Sequence, residues 1–129
     1  MTCILYVDDS QTQLESVKQI LAAKGHEVRT ALTVDQAVEL MRDGRVEIGL
    51  IDYHMPGASG AEVLKQIRTR ANPPPGVRFF IYTTDNRAQA DCRKHTFHGA
   101  ILRKGDSEAL VPQLDPVVRL VELARLARR

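Results

Sequence analysis

Five side chains that could do chemistry stand at the ends of short apolar runs in this sequence. They are Asp8, Asp9, Asp52, Thr83 and Lys104. Carboxylates brought together repel by about 4 kcal/mol per pair at ~4 Å and an effective dielectric of ~20, so a cation or a raised pKa must offset the repulsion. Oxygen-rich sites of this kind suit Mg²⁺, which also bridges to phosphate. Three acids and one lysine leave a formal charge of −3 + 1 = −2, which a divalent cation would cancel.

The apolar runs that precede these side chains are short, and three of them are nearly unbroken. The runs are Cys3–Val7, Glu27–Thr30, Ile48–Ile51, Val77–Tyr82 and Ala100–Leu102. Unbroken apolar runs of this length are typical of strands buried on both faces of a parallel sheet. We therefore expect five strands, each followed by one of the chemical side chains or by a helix.

Helix start and stop signals separate the runs. Four segments open with a polar cap residue and a Gln or Glu three positions later, at Ser10, Thr33, Ser59 and Asn86. In this arrangement the two side chains satisfy backbone N–H groups that the first turn leaves unbonded. Gly25 and Gly44 are placed to end the first two helices. The segment 72–76, with three consecutive prolines, predicts a loop.

The last segment, Ser107–Arg129, is less regular because Pro112 and Pro116 interrupt it. It predicts either one kinked helix or a short turn followed by a helix from about Pro116. Its apolar residues cover more than one face of the helix. One face would pack on the sheet, so the apolar residues on the rest of the helix need a second partner. That partner would be a homodimer mate, another protein or a following domain; the simpler alternative is a short amphipathic helix with a frayed end.

The alternation of strand and helix, five times over, predicts an α/β fold. Right-handed crossovers between parallel strands place helices on both faces of a doubly wound sheet. Ligands of such sheets bind at the carboxyl ends of the strands, where the five chemical side chains would converge. Any single acid at a strand end could instead serve only as a helix cap, but the joint pattern at several strand ends favours a site.

The composition fits one domain over residues 1–129 and excludes several classes of protein. Eighteen basic and sixteen acidic residues give a net charge of +2, which is too weak to indicate binding to nucleic acid or to a membrane surface. We find neither a signal peptide nor an apolar run of the ~20 residues that a spanning helix needs. Two cysteines, Cys3 and Cys92, form no motif. A cytoplasmic location is the expectation.

Four blocks of the sequence resemble the signature blocks of response-regulator receiver domains, the chemotaxis-regulator-like class. The blocks are Ile4-Leu5-Tyr6-Val7-Asp8-Asp9-Ser10, Leu50-Ile51-Asp52-Tyr53-His54-Met55-Pro56-Gly57, Ile81-Tyr82-Thr83-Thr84 and Leu102-Arg103-Lys104. The resemblance covers essentially the whole chain, and the aspartate pair together with the Asp-x-x-Met-Pro-Gly block is its most specific part. It implies a single five-stranded parallel sheet in the flavodoxin-like order 2-1-3-4-5.

Carried over position by position, the resemblance implies a phosphoacceptor role for Asp52. This residue would be the nucleophile that takes a phosphoryl group from a phosphohistidine on a sensor histidine kinase or a phosphotransfer protein. Asp8 and Asp9 would hold Mg²⁺ together with the Asp52 carboxylate and the backbone carbonyl of His54. The protein would then be a signalling switch, and not an enzyme beyond its own phosphorylation and dephosphorylation.

The resemblance also implies how the switch is read. Thr83 and Lys104 would contact phosphoryl oxygens, so phosphorylation would draw the ends of their two strands toward the added charge. The surface formed by the fourth predicted helix, the fifth strand and the fifth predicted helix would change shape, and an output protein would bind one of its two forms. We expect signalling through protein–protein contacts, by a single-domain regulator or by a receiver cut from a longer protein.

Departures from the family pattern define the alternatives. Gly105 stands where proline is usual, Ile101 where an aromatic switch residue is usual, and Thr84 where a small residue is common. His54 and Asp85 occupy the two variable positions that tune dephosphorylation. The alternative of another class is a pseudo-receiver, an interaction module that switches without phosphorylation. A metal-dependent phosphohydrolase is a further alternative, although such enzymes usually carry a second acid where this chain has His54.

Overall fold

A five-stranded parallel sheet forms the centre of the protein. The computed structural model describes residues 2–84, 87, 101–104 and 107–127. The strands of the sheet are β1 (Cys3–Val7), β2 (Glu27–Ala31), β3 (Ile48–Asp52), β4 (Arg78–Thr83) and β5 (Ile101–Arg103). Their order across the sheet is β2-β1-β3-β4-β5, and every neighbouring pair is parallel. The predicted α/β fold and the 2-1-3-4-5 order are confirmed.

Helices cover both faces of this sheet. The described helices are α1 (Gln11–Ala23), α2 (Val34–Met41), α3 (Gly60–Ala71) and the last helix (Leu110–Ala127), which a 3₁₀ turn at Ser107–Ala109 precedes. The fourth predicted helix, with its cap Asn86, lies outside the described residues. The predicted caps Ser10, Thr33 and Ser59 each accept a hydrogen bond from the backbone N–H three residues on.

Alternate residues of each strand point to opposite faces, and this divides the core in two. Leu5, Val7 and Ile51 pack on one side against α2 and α3. Ile4, Tyr6 and Leu50 pack on the other side against α1 and the last helix. Because helices cover both faces of the sheet, successive strand residues are buried on either side of it and must be apolar, which explains the unbroken apolar runs.

The last helix runs without a break through Pro116, so of the two predicted alternatives the single helix is the one observed. The other, a short turn followed by a helix from about Pro116, is wrong. A proline inside a helix removes one backbone hydrogen bond and costs ~3 kcal/mol. Leu110 and Leu114 before the proline, and Val118 and Val121 after it, are all buried against the sheet. Burial on both sides of the proline therefore offsets the lost hydrogen bond and keeps the helix in one piece.

A second sheet of two very short strands follows β3 and was not predicted. His54–Met55 pairs antiparallel with Ala58–Ser59, and Gly57 makes the turn with a φ of 78°. The backbone N–H of Gly60 donates to the carbonyl of Tyr53 at 2.7 Å. This hairpin gives the loop after Asp52 a defined conformation and leads directly into α3.

Candidate functional site

The carboxyl edge of the sheet gathers the predicted site residues. Asp8 follows β1, Asp52 ends β3, Thr83 ends β4 and Lys104 follows β5. Two backbone hydrogen bonds extend the sheet into the site: the N–H of Asp8 donates to the carbonyl of Ala31 at 3.1 Å, and that of Lys104 to the carbonyl of Thr83 at 2.8 Å. Site residues that are 21 to 44 positions apart along the chain thereby lie on neighbouring strands.

The three acids form one group. Asp8, Asp9 and Asp52 each offer a carboxylate oxygen, and these oxygens lie within 4.8 Å of one another. Asp8 and Asp52 are buried, whereas Asp9 is exposed to solvent. Two buried carboxylates at this separation need a compensating cation, as the sequence predicted.

Lys104 supplies part of that compensation. Its ammonium donates to Asp8 Oδ2 at 2.8 Å and to Asp52 Oδ1 at 3.2 Å, and the three side chains are largely shielded from water. One positive charge thus bridges two negative charges, and Asp9 adds a third. The group keeps an excess of negative charge at a largely water-shielded edge of the sheet.

The balance of burial and pairing differs between the two buried acids. Burial raises the pKa of the Asp8 carboxyl, but hydrogen bonds from Lys104, Tyr6 and the Ser10 backbone N–H outweigh burial and hold this pKa below its ordinary value. Burial also raises the pKa of Asp52, and the charges of Asp8 and Asp9 act with it, so this pKa stays above its ordinary value in spite of Lys104. Asp8 is therefore the better-stabilised anion of the two.

The pKa of Lys104 shows the same network from the side of the cation. Burial alone lowers the pKa of the ammonium, but the hydrogen bond and charge of Asp8 and the charge of Asp52 outweigh burial and raise it. Lys104 consequently stays protonated, and its charge is available both to the acids and to an anionic group that enters the site.

Tyr6 is a site residue that the sequence analysis missed. Its hydroxyl donates to Asp8 Oδ2 at 2.5 Å, although the side chain is completely buried and belongs to the core on the α1 face. Residues two apart on a strand lie on the same face, so a tyrosine two positions before the acid was the available signal. It was overlooked because an aromatic residue inside an apolar run also fits a core role.

The hairpin after β3 forms one wall of an open cleft of about 900 Å³ beside the acids. Asp9, His54, Glu62 and Arg87 are among the residues that line it. The His54 side chain is exposed, and its ring meets that of Tyr53 edge-on at 4.8 Å. Among the described residues, the carboxylates alone form the group with metal-ligand spacing, so the imidazole of His54 lies outside it.

Gly60 allows α3 to begin close to the site. A Cβ atom at this position would lie 2.9 Å from Tyr53 Cα, a separation that real Cβ atoms essentially never show, and 3.0 Å from the Asp52 carbonyl oxygen, which is also unusually close. Only glycine therefore lets the first turn of α3 pack against the backbone of the phosphoacceptor candidate. This close approach was not apparent from the sequence.

The donor set of this site fits Mg²⁺. The three side chains that converge offer only carboxylate oxygens, which hard divalent cations prefer, and no sulfur or imidazole ligand belongs to the group within the described part of the chain. Thr83 is buried at the end of β4, whereas Thr84 is exposed. Asp85 and Gly105, and the side chain of Ile101, lie outside the described residues.

Comparison with known proteins identifies the family. The family model described as "Response regulator receiver domain" matches residues 4–115. The chain belongs to the response regulator receiver domain family. Receiver domains are signalling switches of two-component systems, and the acid group at the sheet edge stands where the resemblance of the signature blocks predicts it.

Relatives of this receiver domain differ in length. Protein PilH of Pseudomonas aeruginosa is 31% identical over 87 residues, which are 67% of this chain and 71% of that protein. The two-component response regulator ARR19 of Arabidopsis thaliana is 31% identical over 101 residues, 77% of this chain. The transcriptional regulatory protein DltR of Streptococcus agalactiae is 34% identical over 65 residues, 50% of this chain. The matched regions are only 24% of ARR19 and 29% of DltR.

Solved structures share the receiver fold. The chemotaxis protein CheY4 of Vibrio cholerae superposes with a TM-score of 0.76 at 25% identity, over 91% of this chain and 98% of that one. The response regulator TrrA of Thermotoga maritima, solved in complex with Mg²⁺ and beryllium fluoride, gives a TM-score of 0.72 at 24% identity, over 94% and 99% of the two chains. Within the described residues, no helix of the receiver is long and apolar enough to cross a membrane.

Proposed function

We propose that this receiver domain is a phosphoacceptor switch in a two-component phosphorelay, with Asp52 as the residue that takes the phosphoryl group. The donor is a phosphohistidine of a sensor histidine kinase or a phosphotransfer protein, and the reaction depends on Mg²⁺. The observation that carries the proposal is the joint position of Asp52 within 4.8 Å of two further carboxylates and under the ammonium of Lys104. We assign the function to the whole of residues 1–129 and place it in the cytoplasm.

The metal would be held by Asp8, Asp9 and the Asp52 carboxylate, with the backbone carbonyl of His54 as a fourth oxygen. Bound Mg²⁺ supplies neutralisation of charge on the acids and on the incoming phosphoryl group. Asp8 is already ionised and oriented by its hydrogen bonds, so it is a prepared ligand. Exposed Asp9 and the cleft beside it leave a path from solvent to the acids.

In the transfer step, a carboxylate oxygen of Asp52 attacks the phosphorus atom of the phosphohistidine. The new O–P bond forms as the N–P bond breaks, and the electron pair of that bond returns to the imidazole nitrogen of the donor. The product is an acyl phosphate on Asp52. Water later attacks the same phosphorus atom, so inorganic phosphate leaves and the carboxylate is restored. Most of the rate enhancement comes from positioning and from charge neutralisation.

Thr83 and Lys104 recognise the phosphorylated state in this proposal. The Lys104 ammonium, which bridges two acids before transfer, pairs with a phosphoryl oxygen afterwards, and the Thr83 hydroxyl donates to another. The hydrogen bond between the Lys104 N–H and the Thr83 carbonyl joins the ends of β4 and β5. Movement of either side chain is therefore transmitted to the other strand, and from there to the outer surface.

The output is a protein–protein contact at the surface that includes β5 and the last helix. One face of this helix is buried on the sheet, whereas Leu120, Leu123 and Leu126 are more than half exposed. Large apolar side chains exposed along one helix favour a protein partner over solvent. An output protein is the partner we propose; a second copy of the chain is the other outcome that a binding experiment would reveal.

Incubation with Mg²⁺ and a small acyl phosphate tests the proposal. Intact mass should show the addition of one phosphoryl group to the wild-type protein and none to Asp52→Asn. Asp43→Asn is the matched control, because Asp43 is an exposed acid paired with Arg29 and takes no part in the acid group. An unmodified wild type would favour the pseudo-receiver, and full modification of Asp52→Asn would refute the assignment of the phosphoacceptor. Multiple turnover of phosphate esters would favour the phosphohydrolase.

A further inference from the structure

The carboxylate of Asp8 has three donors, and they are distributed unevenly. The Ser10 backbone N–H donates to Oδ1 at 3.0 Å. The Tyr6 hydroxyl and the Lys104 ammonium both donate to Oδ2, at 2.5 Å and 2.8 Å. Two carboxylate oxygens together have about four acceptor sites, so this arrangement leaves room for a further ligand while both oxygens are held in fixed positions.

Oδ2 of Asp8 would lose one of its two donors when the switch operates. The proposed function moves Lys104 from the acids to a phosphoryl oxygen. A buried charged acceptor that loses its hydrogen bonds pays the full cost of its desolvation. Asp8 is 1% exposed, so water does not replace the ammonium readily. A second donor on the same oxygen would remove this obstacle.

Tyr6 has the geometry of such a donor. Its ring is fully buried and packs edge-on against Tyr82, with ring centroids 5.9 Å apart. It lies on β1, which is hydrogen-bonded on both sides by β2 and β3, so its position does not depend on β5 or on Lys104. Its donor hydroxyl therefore stays in place when the end of β5 moves.

We infer that Tyr6 is a positioning residue of the switch, which keeps Asp8 oriented and its buried Oδ2 hydrogen-bonded while Lys104 leaves for the phosphoryl group. The inference rests on the proposed function, because it assumes that Lys104 changes partners. It also takes Lys104 to leave Asp8 when Mg²⁺ binds, because the divalent cation replaces the ammonium as the counter-charge of the acids. Tyr6 should therefore matter most in the metal-bound and the phosphorylated states.

The first measurement is the affinity for Mg²⁺. It is obtained by titration with the metal alone, with calorimetry or the shifts of backbone amide signals as the readout. Tyr6→Phe keeps the ring and its packing and removes only the donor. We expect its affinity for Mg²⁺ to fall by about tenfold, the factor expected for one hydrogen bond to a buried charged group. Tyr82→Phe is the matched control: it removes the same group from the neighbouring buried ring, whose hydroxyl is not one of the donors to Asp8. Its affinity should stay within about twofold of wild type.

A double-mutant cycle with Lys104→Met separates this role from a general disturbance of the core. With Lys104 absent, Asp8 has the same donors before and after the metal binds, so Tyr6→Phe should change Mg²⁺ affinity by less than about twofold. An equal loss in both backgrounds would overturn the proposal, as would unchanged affinity of Tyr6→Phe in the wild-type background. A wild type that binds Mg²⁺ but is not phosphorylated would instead contradict the proposed function, since Mg²⁺ affinity is read independently of phosphorylation.

Discussion

Replacing Asp52 with asparagine should stabilise the metal-free protein at pH 7, although it removes the proposed phosphoacceptor. Asn has nearly the same size and retains hydrogen-bonding capacity. It removes one of the negative charges held within 4.8 Å of one another. The raised pKa of Asp52 means that its ionised form is less favourable in the folded protein than in the unfolded chain, and ionised Asp52 thus lowers stability at neutral pH.

The magnitude follows from the opposing charges around Asp52. At an effective dielectric of ~20, repulsion from Asp8, whose carboxylate lies within 4.8 Å, is at least about 3.5 kcal/mol, and attraction to Lys104 at 3.2 Å is about 5 kcal/mol. Exposed Asp9 adds roughly 1 kcal/mol of repulsion because solvent screens it. The charges therefore almost cancel, and the desolvation of the carboxylate decides the sign. We expect Asp52→Asn to raise the free energy of unfolding by about 1–2 kcal/mol in the absence of metal.

The difference in stability between Asp52→Asn and wild type is measured by urea unfolding in the presence of a chelator, with far-ultraviolet circular dichroism as the signal. The penalty of ionised Asp52 is absent below the unfolded pKa of 3.8 and grows as the pH rises through the higher folded pKa. The advantage of the variant should accordingly grow as the pH rises above about 4 and level off once Asp52 is ionised in the folded protein. With Mg²⁺ at ten times its Kd, wild type should gain about 1.4 kcal/mol, and the variant should gain less because it lacks one ligand.

Two results would refute this reasoning. A variant clearly less stable than wild type in the chelator would mean that the Lys104–Asp52 ion pair outweighs both desolvation and repulsion. A difference independent of pH from pH 4 to pH 7 would mean that the charge of Asp52 is not its source. Asp43→Asn serves as the control, since it breaks the pair with Arg29 and should lower stability slightly.

Three further predictions concern the structure around the site and the opposite edge of the sheet. Gly60→Ala should destabilise the protein by about 1–3 kcal/mol and slow phosphorylation, because the added Cβ would meet the backbone of Asp52 and Tyr53. Urea unfolding measures the loss, and unchanged stability would contradict the close approach. Arg125→Gln should lower the free energy of unfolding by about 1 kcal/mol at low salt and by less at high salt, because Arg125 donates hydrogen bonds of 2.6–3.1 Å to the Glu47 carboxylate at a partly exposed position. A loss of stability that does not depend on salt would point to packing instead. Burial lowers the pKa of His26, so the folded protein disfavours the charged form of this side chain. Wild type should therefore lose stability relative to His26→Gln, by at most about 1 kcal/mol, as the pH falls below 6.5. Urea unfolding of both proteins at pH 5.5 and pH 7.5 measures this, and a difference in stability that is the same at both pH values would exclude it.

Much of the site was predictable because a parallel sheet obeys a simple rule. Side chains that follow the carboxyl ends of its strands must meet at one edge, so Asp8, Asp52 and Lys104 could be grouped without coordinates. The strands themselves were visible because burial on both faces leaves unbroken apolar runs. Strand ends differed from prediction by only a residue or so, as at β4, which runs from Arg78 to Thr83.

Other features depended on contacts between residues distant along the chain. The helix through Pro116 exists because apolar residues on both sides of the proline are buried on the sheet, and no local signal reports that burial. The clasp between Arg125 and Glu47 joins residues 78 positions apart. The hairpin after β3 is too short for its strands to carry a periodic pattern.

The sequence by itself determined the fold class, the strand order through family resemblance, and which polar residues share the sheet edge, since these depend on local periodicity and on strand ends. Only the tertiary structure decided how the charges there are balanced. It showed that Lys104 bridges Asp8 and Asp52 and that buried Tyr6 shares one oxygen of Asp8 with it. The physical reason is that hydrogen-bond partners and desolvation are set by distances of a few ångströms, which spacing along the chain does not specify.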